Sequence, residues 1–360
     1  MQNHFIVFLV LLTLLQPVYS HDMNPDAGLS GQLRLGYSRT EDLDSAAIGG
    51  KAGYISPNWH HFNASAVAYA SYPLAGINDD ELFLDSHGGP DGDGYTILGE
   101  AWLGAHFSSF DIKLGRQALD TPHADSDDVG MIPNTFSGAV ITHHGLPNTT
   151  LTLAHLDKAA GVDGGKERFA NINDSSGVTL LGIEYEKANW QAQLWHYAQP
   201  KATDMDYAEF SIEPSKPFKL GLQLAHQRRH GVSGHARLAG LSASYELEKT
   251  RLFADYNKVW GAYGVNNAVG GVGGGPFFTS AEINTVDDVA NIRAVATGIE
   301  YTGFKNLALG LRNIDFNQGV GDETDFTLSY QLNKHLSADL IVSNLTQDGD
   351  NTRLFFNYDL

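Results

Sequence analysis

The fold class predicted by this sequence is all-β: a single antiparallel barrel that crosses a membrane. Three observations carry the expectation. Segments of about ten residues with a strict period of two recur from residue 29 to residue 360. Their connections alternate between short and long, as the two rims of a membrane barrel require. The last segment ends on Leu354, Phe356, Tyr358 and Leu360, all on one face.

Before the first strand, residues 1–20 read as a secretory signal peptide. The apolar run 5–15 is too short to span a bilayer as a helix. Val18 and Ser20 supply the small residues before a cut at His21, although the leading residues hold His4 in place of Lys or Arg. Residues 21–360 then form one exported domain, and no later run has the apolar length of a transmembrane helix. Composition narrows the function. The 360 residues carry a net charge of −19 and no cysteine. Thiol catalysis, disulfide scaffolds and cysteine zinc sites are thereby excluded. An acidic chain lacking clustered Lys and Arg also argues against nucleic acid as a partner.

The alternation begins at Leu29, Leu33, Leu35 and Tyr37 on one face, with Ser30, Gln32, Arg34 and Ser38 on the other. A soluble sandwich would alternate in shorter runs, so repetition decides between the two. Residues 48–55 run back to a turn at Ser56-Pro57-Asn58, and 62–72 lead into a long loop over 73–93. The next strand, 95–107, is expected to place Ile97, Ala101, Leu103 and Phe107 outward and Glu100 and His106 inward. A tight turn at Ser108-Ser109 starts Phe110–Gln117, and 136–142 returns to a turn at 145–148. The second half keeps the same beat through 149–156, 178–186, 190–197, 207–212, 218–228, 238–247 and 252–259. After a Gly-rich loop over 261–290 come 292–301, Leu307–Phe316, 326–332, Leu336–Leu345 and 352–360. The total is about eighteen strands, or sixteen without the weakest, an even number as bacterial barrels require. Short turns then face the periplasm and long loops face outside. Tyr185, Tyr245, Tyr301 and Tyr330 recur just before periplasmic turns, as an interfacial aromatic girdle does.

One connection stands apart. Between Gln117 and Asn134 lies an irregular segment with Asp120, Asp125, Asp127 and Asp128, framed by Pro122 and Pro133. No hairpin needs a connection this long, and structureless inserts of such length are usually functional or disordered. The whole block, KLGRQ, LDTP, an acidic run, then MIPNTFSG, resembles the OprD-family outer-membrane porins. NLALGLRNIDFNQ at 306–318 is similar to a late strand of that family, and GGPFFTSAE at 274–282 to a looser segment. The C-terminal strand resembles the assembly signal of outer-membrane barrels, departing from it in ending on Leu360 and not on an aromatic. The resemblance implies an eighteen-stranded barrel, a loose trimer or monomer, whose third outer loop folds inward to narrow the pore. It also implies a ladder of lumen arginines and lysines that guides carboxylate-bearing solutes. The chain is shorter than typical members, so several outer loops must be trimmed.

The expected constriction and selectivity set is Lys113, Arg116, Asp120, Asp125, Asp127 and Asp128, facing Arg34, Arg312 and Arg353 across the pore. Arg116 has a second reading, as an anchor of the loop through an aspartate. Inward acids at Glu100, Asp111, Glu184, Glu209, Asp255, Asp325 and Asp339 oppose the bases, and Lys219 joins them. Acidic rings favour cations and basic rings anions, while separated walls of each sign orient dipolar solutes. A structural cross-strand pair remains the blander reading of any one of these charges. Inward Trp102, Trp195 and Phe253 read either as a sugar-stacking slide or as wall packing.

No cofactor or metal is expected. His226 and His230 lack helical metal spacing on a strand, and GGVGGG at 270–275 follows no strand-to-helix turn. GVSGH at 231–235 misses the nucleophile-elbow pattern by one residue, and the aspartates of 89–95 lack calcium-loop spacing. The expectation is a passive diffusion channel for small hydrophilic solutes such as amino acids or carboxylates, and for ions. Its expected partners are outer-membrane lipid, lipopolysaccharide and the solutes themselves. A surface adhesin or receptor using the loops 73–93 and 261–290 is the alternative. An outer-membrane hydrolase would need an outward Ser/His pair near the rim, which the sequence does not offer.

Overall fold

The computed structural model describes residues 27–40, 43–78, 94–126, 130–161, 168–172, 177–269, 275–347 and 349–360. The signal-peptide reading of 1–20 lies outside them. The strands of the first half are β1 (Gly28–Arg39), β2 (Asp44–Ile55), β3 (Phe62–Asn78), β4 (Tyr95–His106), β5 (Phe110–Gln117), β6 (Thr135–Leu146), β7 (Thr149–Ala160), the two-residue β8 (Ala170–Asn171) and β9 (Val178–Lys187). The second half adds β10 (Trp190–Gln199), β11 (Thr203–Ser215), β12 (Phe218–Arg229), β13 (Ala236–Glu246), β14 (Thr250–Gly261), β15 (Arg293–Phe304), β16 (Leu307–Phe316), β17 (Glu323–Gln331), β18 (Leu336–Leu345) and β19 (Gly349–Asp359).

Each strand pairs antiparallel with its neighbour in sequence, and β7 pairs directly with β9, so β8 is a spur on the loop side of β7. The remaining eighteen strands close on themselves where β1 pairs with β19 through Arg34↔Asn357, Leu35↔Phe356 and Tyr37↔Leu354. The Leu360 N–H completes the seam by donating to the Gly31 carbonyl at 3.0 Å. Closure satisfies every edge, which a wall surrounded by hydrocarbon requires.

Burial is inverted relative to a soluble protein. Leu220, Leu222 and Leu224 of β12 are exposed, while Gln223 and Gln227, on the alternate positions, are fully buried. The leucines face lipid and the polar side chains face an interior filled by other groups. Near the periplasmic turns two of the expected tyrosines meet aromatic neighbours: Tyr185 stacks on Trp190, with ring centroids 4.6 Å apart, and Tyr245 packs edge-on to Phe218 at 4.9 Å.

Phe110–Gln117, Leu307–Phe316 and Leu336–Leu345 stand where the alternation placed them. Other strands run further than their alternation, because ladder hydrogen bonds continue past the lipid-facing band. The expectation for Ile97 is corrected. Register passes from Val67↔Glu100 to Ala68↔Leu98, so Gly99 is an extra residue that shifts the alternation of β4. Ile97 therefore points inward, only 6% exposed, while Leu98 and Leu103 face out. Glycine is required at the bulge, since a Cβ there would overlap the ring of Tyr69.

Candidate functional site

The segment between β5 and β6 folds into the barrel and reaches from one wall to the other. Its tip is a small turn: the Thr121 N–H donates to the Ala124 carbonyl at 2.8 Å, and the Ala124 N–H to Thr121 Oγ1 at 2.9 Å. A bridge between Asp120 and Asp125 and a bond from the Ser126 N–H to the Leu119 carbonyl close the neck. Tyr197 on β10 holds the tip against the wall, its hydroxyl donating to Thr121 Oγ1 at 3.0 Å and accepting from the His123 N–H at 3.2 Å. On its return the segment packs Ile132 with Val67, Tyr69 and Ile97 of β3 and β4, and Met131 with Ala47 and Phe355 of β2 and β19. β10 lies about half-way round the sheet order from β19 and β2, so the loop is a crossbar.

His123 sits at the crossbar's docked end. Its ring is fully buried, edge-on to Tyr197, Tyr207 and Phe277 at centroid distances of 5.3, 5.6 and 5.8 Å. Both ring nitrogens lack a hydrogen-bond partner. Burial in this aromatic cage pushes the imidazole down to about 3, so it is neutral at physiological pH.

A second insertion, not anticipated from sequence, comes from the long connection between β14 and β15. Val265, Ala268, Val269, Phe277, Phe278 and Val286 are buried inside the barrel. Two lumen amides seat it. Gln223 Nε2 donates to the Pro276 carbonyl at 2.6 Å and Gln223 Oε1 accepts from the Phe278 N–H at 3.1 Å. Asn257 Oδ1 accepts from the Thr279 N–H at 2.8 Å. The carboxylate of Glu323 receives the N–H groups of Ile283 and Asn284 at 3.0 and 2.7 Å. The two inserted loops touch where Asn267 Nδ2 donates to the His123 carbonyl at 3.0 Å. Burial raises the carboxyl of Glu282, which Arg353 partly offsets, and raises that of Asp287 to about 7, with the charge of Asp288 adding to it.

This second loop changes the partners of the arginine wall. Arg312 donates to the carbonyls of Ser280 and Phe278, at 2.5 and 2.9 Å, and among the described residues meets no aspartate of the 118–134 loop. Arg353 pairs with Glu282. Arg34 does reach the crossbar, through the Gly130 carbonyl at 2.6 Å, and also donates to Asn357 Oδ1 at 2.7 Å. All three arginines face the lumen, Arg34 and Arg353 on the adjoining β1 and β19 and Arg312 three strands from β19 on β16; Arg312 holds loop backbone and Arg353 a loop carboxylate. Lys113 is buried in the wall with its ammonium 4.6 Å from the centre of the Trp102 ring. Arg116, by contrast, takes the opposite face of β5 from Lys113, pairs with Ala101, and lies 4.6 Å from the Phe169 ring while donating to the Leu98 carbonyl at 3.1 Å. Asp120 and Asp125 are half-buried at the neck of the crossbar; Asp127 and Asp128 lie outside the described residues.

Glu184 and Glu209 face inward on β9 and β11, about half the sheet order away from Arg34 and Arg353. Gln223 Nε2 donates to Glu209 at 3.3 Å, and the Tyr207 hydroxyl also bonds that carboxylate.

A sealed wall, a polar interior and two inward loops are the parts of a constricted channel, and the chain's likeness to known proteins agrees. The model of the outer membrane porin, OprD family, matches residues 74–291, more than half of the chain. The chain belongs to the OprD family of outer-membrane porins. No curated protein sequence matches it. Among solved structures the porin is similar to Pseudomonas aeruginosa OpdK with vanillate, at 21% identity over 93% of this chain and 98% of that one, with a TM-score of 0.81. It is similar also to a BenF-like porin from Pseudomonas fluorescens Pf-5, at 17% identity over 94% and 99% with a TM-score of 0.80. Acinetobacter baumannii OccAB1 follows the same path at 14% identity over 95% and 98%, with a TM-score of 0.78. The porin is thus an outer-membrane β-barrel that admits small hydrophilic solutes by diffusion, and its family and fold are those of channels.

Proposed function

We propose that this porin passes small solutes of the amino-acid and carboxylate class, and that among simple ions it prefers cations modestly. The observation that carries the reading is the unequal engagement of lumen charge. On one wall Arg312 caps backbone carbonyls and Arg353 is matched by Glu282. Around them Asp255, Glu323 and Asp325 line the same side. Across the barrel Glu184 and Glu209 face inward with Lys219 as the nearby base. Net negative walls at a constriction favour cations, while the remaining separation of Arg34 from Glu184 and Glu209 orients solutes that carry both signs. The vanillate in the similar OpdK structure supports the carboxylate half of this proposal.

Reversal potential under a salt gradient tests the ion preference: a cation-leaning potential is expected, and strong anion selectivity would overturn it. Liposome swelling with amino acids, monocarboxylates and neutral sugars tests the solute class; sugars entering as fast as amino acids would contradict it. Two partner readings belong here as well. Association with lipopolysaccharide accords with residence in the outer membrane, and the family resemblance implies a loose trimer or a monomer; native mass in mild detergent distinguishes the two.

A further inference from the structure

The outer face of β12–β15 carries a row of cations that the channel does not use. Arg237, Lys258 and Arg293 alternate outward with the lumen residues Leu238, Val259 and Ala294 and sit at the extracellular ends of β13, β14 and β15. Register places Lys258 directly opposite Arg293, with Arg237 opposite Trp260 one step nearer the rim. Like charges facing each other across a strand pair are destabilising unless an anion lies between them. Among the described residues none of the three makes an ion pair, in a chain of net charge −19; Lys258 Nζ donates only to the neutral Asn291 carbonyl, at 2.5 Å. Their neighbours on β11 and β12 are already matched: Arg228 to Asp204 at 2.8 Å and His196 to Asp206 at 2.8 Å. Asp315, opposite Val295 on β16, bounds the row on its other side.

Beside the row, toward the membrane midplane on β10–β12, the outer face is grooved, and of the three cations Arg237 edges the groove. Ala208 stands between Leu194 and Leu224 in register, leaving a shallow apolar trough whose extracellular edge is His226, Arg237 and Trp260. An apolar trough edged by Arg237 and an interfacial tryptophan, with Lys258 and Arg293 beside it on the next two strands, fits an amphiphile with acyl chains and an anionic head.

We propose that this face binds a phosphorylated glycolipid of the outer leaflet, its phosphate held by Arg237, Lys258 and Arg293 and one acyl chain lying over Ala208. The site rests on the outer-membrane placement of the porin and deepens it, fixing the lipid contact to one side of the barrel. The test uses the folded porin in nanodiscs with a bisphosphorylated lipid A-type glycolipid, its dephosphorylated form, or zwitterionic phospholipid alone. Native mass spectrometry should show the bisphosphorylated lipid retained by the wild type. The triple variant Arg237→Ala/Lys258→Ala/Arg293→Ala should retain it at least tenfold less, while Arg39→Ala, at a rim position on another wall, should not differ from wild type. Equal retention of the dephosphorylated lipid, or an unchanged triple variant, would overturn the proposal. Single-channel conductance of the triple variant shows that it is folded and inserted, which separates loss of the lipid site from failure of the barrel itself.

Discussion

Acid should loosen the crossbar through a single side chain, His123. Exposed, an imidazole titrates near 6.5; docked among Tyr197, Tyr207 and Phe277 it is held down to about 3. The docked loop therefore binds fewer protons than the released loop at mildly acidic pH. Docking is at full strength above about pH 6.5 and weakens as pH falls toward 3. At about pH 5 the loss is about 2 kcal/mol, roughly a thirtyfold shift in the ratio of docked to released loop. Single-channel recording in planar bilayers reads this as added high-conductance excursions at about pH 5 compared with about pH 7.5. His123→Phe keeps the aromatic contacts and removes the titration, so its excursions should not depend on pH over this range. A variant with the same acid response as the wild type, or a wild type with none, would refute the reasoning. The second inserted loop answers with the opposite sign. Burial lifts Asp287 to about 7, so its loop is held best where that carboxyl is protonated and loses this contribution as pH rises through about 7. Asp287→Asn separates the two.

Three further outcomes follow from the same contacts. Arg312→Ala removes the donors to the Phe278 and Ser280 carbonyls, at a cost of about 1.5–3 kcal/mol per charged hydrogen bond, and should raise both conductance noise and amide hydrogen exchange over 275–285. Leu222→Arg puts a charge on the lipid face of β12 and should destabilise the barrel by about 2–4 kcal/mol in reversible urea unfolding with lipid vesicles, whereas Gln for Leu at the same place should cost less. Glu184→Gln with Glu209→Gln should reduce the cation preference of the reversal potential without changing heat-modifiable migration on gels, which reports folding.

The wall was legible because a membrane barrel writes its two faces into alternate residues. Leu220, Leu222 and Leu224 could face only lipid, and Gln223 and Gln227 only the interior. Alternation fails where one residue is inserted, and Gly99 is such a place: a glycine inside a strand pattern is the signal of a bulge, and it turned Ile97 inward. The crossbar was legible from its length and its prolines. The second inserted loop was not, because Val265, Val269, Phe277, Phe278 and Val286 follow neither period and sit beside a glycine run that reads as flexible. The available sign was the Phe277–Phe278 pair inside the family-like GGPFFTSAE block, in a connection with no other reason to be apolar. For the same reason parity put Arg312 and Arg353 on the right face yet said nothing of what lies against that face. Glu323, which receives two N–H groups of the loop, stands in no motif, and Glu282 ends the family-like GGPFFTSAE block without any sign that Arg353 is its partner.

Conduction is the most direct test of the account. Purified porin added to a planar bilayer should give stepwise, ohmic current increments of a narrow pore, and removal of the 119–126 tip should enlarge them. A folded, heat-modifiable barrel that gives no current steps with either form would contradict the claim that these strands enclose an open channel narrowed by the loop between β5 and β6.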